Sequence, residues 1–393
     1  MISVSEAKIL VVNSVATLNS KNLALKEALG KILSEDIISP VNLPPFPQSA
    51  MDGYALKFGT EKVYKVIGEI AAGNMFSEKM ENGTAVRIFT GACVPEDADA
   101  VIMQEKVTRE GDRITIDDSS LKAGSNIRKV GTQIEKNTVA LKSGTKLNPG
   151  SIGFIASMGI SSVKVYPHPR VSILVTGNEL QKSDEKLSQG KIFESNSIML
   201  ESALKQIGIT DVTTHYAKDN ENEIVSLLKS ILADSDIIIL SGGISVGDYD
   251  FAENSMKMVG VKTVFYKVKQ KPGKPLFFGM KKEVPFFALP GNPAAALTCF
   301  YEYVYPAIRK MSGHEKYFLE ETKAISKSAF EKKAGLTNFL KSNFKNGEVE
   351  ILEGQESYKI NSFAEANSFV VVEEETEKIN VGDNVTVHLL PAN

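Results

Sequence analysis

The chain has 393 residues, a formal net charge of −3, 42% hydrophobic residues and 24% charged residues. This length exceeds one ordinary hydrophobic core, so we expect a globular protein of several domains. The small net charge excludes a global attraction to nucleic acid or to an anionic membrane. The only two cysteines, Cys93 and Cys299, are too few for a disulfide framework or a cysteine-ligated metal site.

The N-terminal part of the chain is predicted to form one helix and then short strands. Ser3 and Glu6 form a capping-box pattern, and apolar residues at helical spacing predict an amphipathic helix over 3–18. The proline-rich stretch 39–50 then marks a boundary. After it, short β-type runs between Gly, Asn and Asp turns indicate a small β-rich domain. The predicted elements are strands at 63–67, 85–89, 100–103 and 113–116, and a helix and strand within 147–166.

From residue 171 onward, predicted strands and helices alternate. The pattern predicts strands at 171–175, 211–215 and 236–240, with helices at 197–207 and 223–232. Such alternation is typical of a parallel, doubly wound sheet with helices on both faces. A last helix is expected from Pro293 to about Met311. From residue 320 the alternation of period two returns, which predicts a small C-terminal β-barrel or sandwich.

Three loops that follow predicted strands of this sheet carry glycines and polar residues. They are TGNE at 176–179, SGGISVGDYD at 241–250 and LPGNP at 289–293. Ligands of open α/β sheets bind beyond the carboxyl ends of the strands, and a glycine loop before a helix offers N–H groups to an oxyanion. The loops therefore indicate a phosphate or oxyanion site. Glu179 and Asp250 lie on two of them, and such carboxylates beside phosphate oxygens suit Mg²⁺.

Positive charge for an anion is available in the segment KVKQKPGKP at 267–275. Lys267, Lys269 and Lys271 alternate, so a strand would turn all three to one face. Beside an oxyanion loop this face would form an anion cradle, and elsewhere it would be a solvated sheet edge. Three candidates lie in the β-rich part, although each could equally serve a turn or the surface: Asp52, Thr90 and Arg128.

Taken together, these motifs resemble those of the molybdopterin molybdenumtransferases, whose relatives include a domain of gephyrin and plant enzymes. The resemblance covers nearly all 393 residues. The motifs that carry it, in chain order, are 44–46 with 49–54, 89–92, 126–128, 176–180, SGGISVGDYD, KPGKP and LPGNP. It implies a homodimer that inserts molybdenum from molybdate into adenylylated molybdopterin, uses Mg²⁺ and releases AMP.

The resemblance also implies a multidomain protein, with one α/β domain and additional β domains. An N-terminal helix, 1–20, would pack on a doubly wound α/β molybdopterin-binding domain, 167–318. A discontinuous linker domain would comprise 21–43 and 140–166. The β-rich domain would span 44–139, and a C-terminal β-barrel would span 319–393.

Site residues are implied in the same way. The catalytic residues would be Asp52, Thr90, Glu179, Asp219, Asp250, Lys267 and Lys271, with Glu179 and Asp250 as the metal ligands. The substrate-binding residues would be Gly242, Gly243, Ser245, Gly247, Lys274, Gly291, Asn292 and Arg128. In the family, Asp52 and Thr90 lie opposite the α/β domain of the other subunit. The chain departs from the family pattern at Gln133, where an acid is usual, and at Asp97, where glycine is usual.

Two alternatives to molybdenum insertion remain at the level of sequence. One is adenylylation of molybdopterin on the same kind of α/β domain, which is usually a single short domain with a TGGTG-type loop. The other is a non-catalytic molybdopterin-binding scaffold. No nucleic-acid or membrane partner is expected, and the lack of a leader-like segment or a membrane-length apolar run predicts a cytoplasmic protein.

Overall fold

The computed structural model describes residues 1–242 and 251–391. The chain divides into two compact units. The first comprises Met1–Asn22, Gly30–Ser34 and Lys164–Asn393, and the second comprises Leu23–Leu29 and Glu35–Val163.

The α-helices largely follow the sequence prediction. They are α1 Val4–Ser14, α2 Pro149–Ser157, α3 Asn196–Gln206, α4 Glu221–Ile231, α5 Phe251–Met258, α6 Pro293–Cys299 and α7 Tyr305–Met311. A π-helical segment, Phe300–Val304, joins α6 to α7, so the predicted helix from Pro293 to Met311 is confirmed as one helix with a π-helical interruption. The capping box of α1 is also confirmed, but the predicted extension to residue 18 is wrong because Val15 is already extended.

The second unit is built on a six-stranded sheet with apolar clusters on both faces. The four strands predicted here are confirmed, with ends shifted by up to three residues. In spatial order the strands are Ala100–Met103, Gly53–Leu56, Thr84–Ile88, Val63–Ile70, Arg113–Ile116 and Val107–Glu110. Two short antiparallel ladders complete the unit: Gln48–Ser49 with Ile127–Arg128, and Ile37–Ile38 with Val139–Leu141.

The first unit contains the predicted α/β sheet. Its strands, labelled in chain order, are β1 Val171–Thr176, β2 Val212–Ala217, β3 Ile237–Ser241, β4 Lys262–Tyr266, β5 Phe277–Lys281 and β6 Val284–Leu289. The spatial order is β2-β1-β3-β6-β5-β4. The first four strands are parallel, whereas β5 and β4 are antiparallel to their neighbours. The chain moves outward from β1 to β2 and then returns to β3, which makes the β1–β3 boundary the switch point in strand order.

Helices cover both faces of this sheet, so the doubly wound prediction is confirmed. Helices α1, α3, α6 and α7 contribute to the apolar core on one face, and α4 packs on the other. The central strands are buried over their whole length, as expected for parallel strands covered on both sides.

A closed β-barrel forms the C-terminal part of the same unit. Its strands are Glu320–Ser326, Thr337–Lys345, Glu348–Ile351, Ser368–Val372 and Asn384–Leu389. Pairing between Thr337–Lys345 and Ser368–Val372 closes the ring. The short strand Gln270–Lys271 adds to Thr337–Lys345 in parallel, which ties the KPGKP segment to the barrel.

The remaining strands are short and lie outside these sheets. They are Lys21–Ala24, Ile32–Leu33, Ser162–Tyr166, Leu180–Gln181, Ile192–Phe193, Phe330–Glu331 and Lys378–Ile379. Over residues 1–242 and 251–391, none of the helices combines the length and apolarity that crossing a lipid bilayer requires.

Candidate functional site

A cavity of about 370 Å³ lies at the switch point of the α/β sheet. It opens at the carboxyl ends of β1, β3 and β6, where the three predicted loops begin. Its polar lining includes Thr176, Glu179, Asn196, Ser241 and Asn292. The predicted convergence of the three loops is therefore confirmed for their described parts. Gly243, Ser245, Gly247 and Asp250 lie outside the described residues.

Asn196, the first residue of α3, joins two of these loops. Its side-chain amide donates one hydrogen bond to Ser241 Oγ at 2.9 Å and another to the Gly291 carbonyl at 2.8 Å. Sequence reasoning missed this residue. The only local signal is an asparagine at a helix start, which usually indicates capping.

Gly242 follows β3 directly and must be glycine for two reasons. Its φ is +92°, and a Cβ atom would lie 2.2 Å from the Thr176 carbonyl oxygen at the end of β1. The Thr176 hydroxyl is itself buried and has no hydrogen-bond partner among the described residues. The close approach of the two strand ends thus leaves a buried hydroxyl at the edge of the cavity.

We expect Gly242→Ala to cost more stability than the same change at Gly260. Gly260 has a similar φ of +84° but open space around its Cβ position, so Gly260→Ala measures backbone strain alone, about 1–2 kcal/mol. Gly242→Ala adds the collision with the Thr176 carbonyl, about 1–3 kcal/mol more. Urea unfolding followed by circular dichroism compares the two. Equal losses would show that the strand ends can separate freely.

The two carboxylates predicted near β1 and β2 occupy different environments. Asp219 Oδ2 accepts a hydrogen bond from the Asn178 amide at 3.0 Å, and the Asn178 side chain accepts one from the Asp219 amide at 3.4 Å. Asp219 therefore holds the loop that carries Glu179. Glu179 is exposed and lines the cavity. Over residues 1–242 and 251–391, no three His, Cys, Asp or Glu side chains cluster closely enough to hold a metal ion.

The loop before α6 differs from the prediction. The backbone N–H groups of Ala294 and Ala295 donate to the Ser357 carbonyl, at 3.1 and 3.4 Å, so they are not free for an oxyanion. The Asn292 side chain likewise donates to Ser357 Oγ at 2.8 Å. Gly291, in the same loop, lies beside Gly242: a Cβ atom on Gly291 would be 3.9 Å from the Gly242 Cα.

The lysine segment is not the continuous strand that its alternation predicts. Lys267 has a φ of +70°, and only Gln270–Lys271 is a strand. The alternation of exposure nevertheless holds, because Val268 and Gln270 are buried between the lysines. Lys269 is engaged in an ion pair with Glu374 of the barrel, at 2.6 Å. Of the three alternating lysines, Lys267 and Lys271 therefore remain the candidates for an anion cradle, which stays a prediction.

A buried amide holds the turn that carries Lys271 and Lys274. Gln270 donates to the Pro272 carbonyl at 3.1 Å and to the Gly273 carbonyl at 3.2 Å. Tyr303, in the π-helical segment, donates to the Gln270 side-chain oxygen. The turn is thus rigidly supported from the helix below, which sequence reasoning did not foresee.

The second unit brings Asp52 and Thr90 together by itself. The Thr90 backbone N–H and hydroxyl donate to Asp52 Oδ1 at 2.7 and 2.8 Å, and these bonds lower the pKa of the Asp52 carboxyl. Arg128 pairs with Gln48 in the short ladder that precedes Asp52. The predicted candidates of this unit therefore occupy one region.

Asp97 stands where the family usually has glycine. Its φ is not positive, and its side chain accepts a hydrogen bond from the Met80 amide at 3.1 Å.

Comparison with known protein families matches the chain in three segments. Residues 2–159 match the MoeA N-terminal region (domain I and II), and 172–310 match the probable molybdopterin binding domain. Residues 323–390 match the MoeA C-terminal region (domain IV).

Full-length relatives agree with these matches. The molybdopterin molybdenumtransferase of Haemophilus influenzae is 37% identical over 382 residues, which cover 94% of each chain. That of Staphylococcus epidermidis is 31% identical and covers 100% of this chain and 96% of its own. A crystal structure of the molybdopterin biosynthesis moeA protein from Pyrococcus horikoshii OT3 has a TM-score of 0.81 at 30% identity, covering 99% of this chain and 100% of that one. The chain belongs to the molybdopterin molybdenumtransferase family.

Proposed function

We propose that this enzyme transfers molybdenum from molybdate to the dithiolene of adenylylated molybdopterin and releases AMP. The observation that supports this most is the cavity at the switch point, where Asn196 holds the loops of Ser241 and Gly291 together. Such a crevice is where open α/β sheets bind nucleotides and their phosphates. The substrate sulfurs bind the metal, so the protein does not need a covalent nucleophile of its own.

The candidate residues of the first unit have distinct proposed roles. Of the lysine segment, Pro275 lines the cavity. Lys267 and Lys271 attract molybdate, a tetrahedral dianion, and Lys274 lies on the same supported turn. Glu179, exposed on the cavity wall, offers a carboxylate of the kind that holds Mg²⁺ together with phosphate oxygens, and Asp250 is proposed as its second ligand. When bound, Mg²⁺ would neutralise phosphate charge and favour the departure of AMP.

Asp52, Thr90 and Arg128 form a further proposed functional region in the second unit. Asp52 is ionised at neutral pH, as an aspartate with an ordinary pKa would be. Thr90 fixes the orientation of this carboxylate through two hydrogen bonds, which also lower its pKa. Arg128 supplies an exposed positive charge on the short strand that pairs with Gln48–Ser49. We further propose that the enzyme is a cytoplasmic homodimer. Light scattering should then give a molecular mass twice that of the chain.

The direct test is AMP release from adenylylated molybdopterin, measured with and without molybdate. We expect release that depends on molybdate and yields a molybdenum-containing product. Formation of adenylylated molybdopterin from ATP would instead indicate the adenylyltransferase activity. Binding without either reaction would indicate a scaffold.

We expect Lys271→Met to raise the molybdate concentration required for half-maximal AMP release by roughly 10- to 100-fold. A charge-assisted contact is worth about 1.5–3 kcal/mol, and each 1.4 kcal/mol is about tenfold in affinity. The required concentration of adenylylated molybdopterin should change much less. Lys262→Met serves as the control, because Lys262 is an exposed lysine at the start of β4, outside the 267–275 segment. An unchanged molybdate dependence in Lys271→Met would place the cradle elsewhere.

A further inference from the structure

A second cavity, of about 310 Å³, lies next to the first at the carboxyl ends of β1 and β2. Val175 and Leu180 line both cavities, so a ligand that occupies one lies beside the other. Its lining includes the charged residues Lys182, Lys218 and Glu223. Two further side chains offer a buried hydrogen-bond acceptor and an aromatic face. They are Glu194, just before α3, and Tyr216, near the end of β2.

Glu194 is a buried carboxylate without a cationic partner. Only 9% of the residue is exposed, and none of the residues in 1–242 and 251–391 forms an ion pair with it. It accepts hydrogen bonds from the Ser197 backbone N–H, at 2.9 Å, and from the Ser197 hydroxyl. An ionised carboxylate can accept about four hydrogen bonds, so about half of this capacity is left for a ligand. These unused acceptor positions favour a ligand rich in N–H donors.

Tyr216 supplies the opposite chemistry, an accessible aromatic face. It is 52% exposed although it lies on a strand of the sheet. Its hydroxyl is 3.2 Å from Ser197 Oγ, the same hydroxyl that contacts Glu194. Ser197 thus ties the carboxylate and the ring to one place, and an exposed ring beside a cavity offers a stacking surface for a planar ligand.

We propose that this second cavity binds the pterin ring of the substrate, with Glu194 accepting hydrogen bonds from the pterin edge and Tyr216 stacking on its face. The proposal rests on the proposed function, which supplies a substrate with a pterin at one end and adenine at the other. A pterin presents two adjacent donors, the ring N3–H and the 2-amino group, which match the two oxygens of one carboxylate. Adenine places its amino group beside a ring nitrogen that accepts, so it lacks this match. The adjoining first cavity would then receive the phosphates.

The test compares the binding of two simple probes, 6-hydroxymethylpterin and 6-hydroxymethyllumazine. They share the fused ring, but lumazine carries an oxo group in place of the 2-amino group. We expect the wild-type enzyme to prefer the pterin by roughly tenfold or more, since a hydrogen bond to a charged group is lost with lumazine. Dissociation constants can be measured by fluorescence anisotropy or ligand-observed NMR.

Glu194→Gln should reduce this preference to near one, because it removes the charge while keeping an oxygen for the Ser197 amide. Glu185→Gln is the matched control: Glu185 is an exposed carboxylate that does not line this cavity, and its loss should leave the preference unchanged. Tyr216→Ala should weaken both probes about equally. Circular dichroism checks that each variant is folded.

Equal binding of the two probes to the wild-type enzyme, or an unchanged preference in Glu194→Gln, would overturn the proposal. These measurements need no molybdate and no turnover. The pterin site can therefore fail while molybdate-dependent AMP release is intact, and a failure of that release leaves the probe measurements interpretable.

Discussion

Replacing Asn196 by aspartate should reduce molybdate-dependent AMP release by about 100-fold or more while leaving the enzyme folded. The amide donates to Ser241 Oγ and to the Gly291 carbonyl, and aspartate cannot donate to that carbonyl. Its negative charge would instead repel the carbonyl oxygen, so the two loops should separate. A displacement of about 1 Å at an active site can cost about 100-fold in rate. Turnover assays at saturating substrate would measure the loss.

The helix itself should tolerate this change. Asn196 begins α3, and acidic residues are favourable at helix N-termini. Asn222→Asp is the matched control, because Asn222 is an exposed residue in the first turn of α4. It should show full activity. Asn196→Ala, which removes the donors without adding charge, should lose less than Asn196→Asp. Full activity in Asn196→Asp would show that the loops do not need this bridge.

The fold could be predicted because periodicity is a local property. The alternation of strands and helices after residue 171 correctly gave a doubly wound sheet, and runs of alternating residues gave the β-rich domain and the barrel. The predicted strand at 267–271 is the exception. The exposure alternates as predicted, yet the positive φ of Lys267 interrupts the strand, and nothing in its side chain signals a left-handed conformation.

The site was predictable only where glycine loops follow strands. Thr176–Gly177, Gly242 and Gly291 indicated the cavity because strand ends of a parallel sheet share one edge. Asn196 was missed because its role depends on distant contacts, such as the hydrogen bond to Gly291, 95 residues away. Glu194 was missed because its hydrogen bonds, both from Ser197, are local and look like ordinary capping at the start of α3. The free amides expected at α6 are occupied by Ser357, which belongs to a later part of the chain.

A buried ionic cluster of Lys8, Glu302 and His388 was missed for the same reason. Glu302 lies in the apolar π-helical segment, where an isolated carboxylate was the only local signal. It is 1% exposed, forms an ion pair with Lys8 of α1 and lies 2.9 Å from His388 Nδ1 of the barrel. Burial alone would raise the pKa of Glu302, but the charges of Lys8 and His388 outweigh it and lower the pKa to about 2.

We expect Glu302→Gln to destabilise the first unit at neutral pH by about 3–5 kcal/mol. Removing one partner of a buried ion pair leaves the other charge uncompensated, here that of Lys8, whose side chain is only 15% exposed. Hydrogen exchange at the amides of α6 and α7, followed by mass spectrometry, reports the opening of this part of the structure. Glu348→Gln is the control, since its pair with Lys327 is about half exposed and should contribute about 1 kcal/mol or less.

The same carboxylate should make the stability of the wild-type unit fall in acid. Because folding lowers the pKa of Glu302, its stabilisation is complete above the unfolded pKa of about 4.3 and is lost as the pH falls towards about 2. Glu302→Gln should lack this component of the pH dependence. The double variant Lys8→Met/Glu302→Leu, in which apolar side chains replace the pair, should recover much of the stability lost in Glu302→Gln. If Glu302→Gln costs no more than Glu348→Gln, and the acid dependence persists without Glu302, the cluster does not hold α1, the π-helical segment and the barrel together.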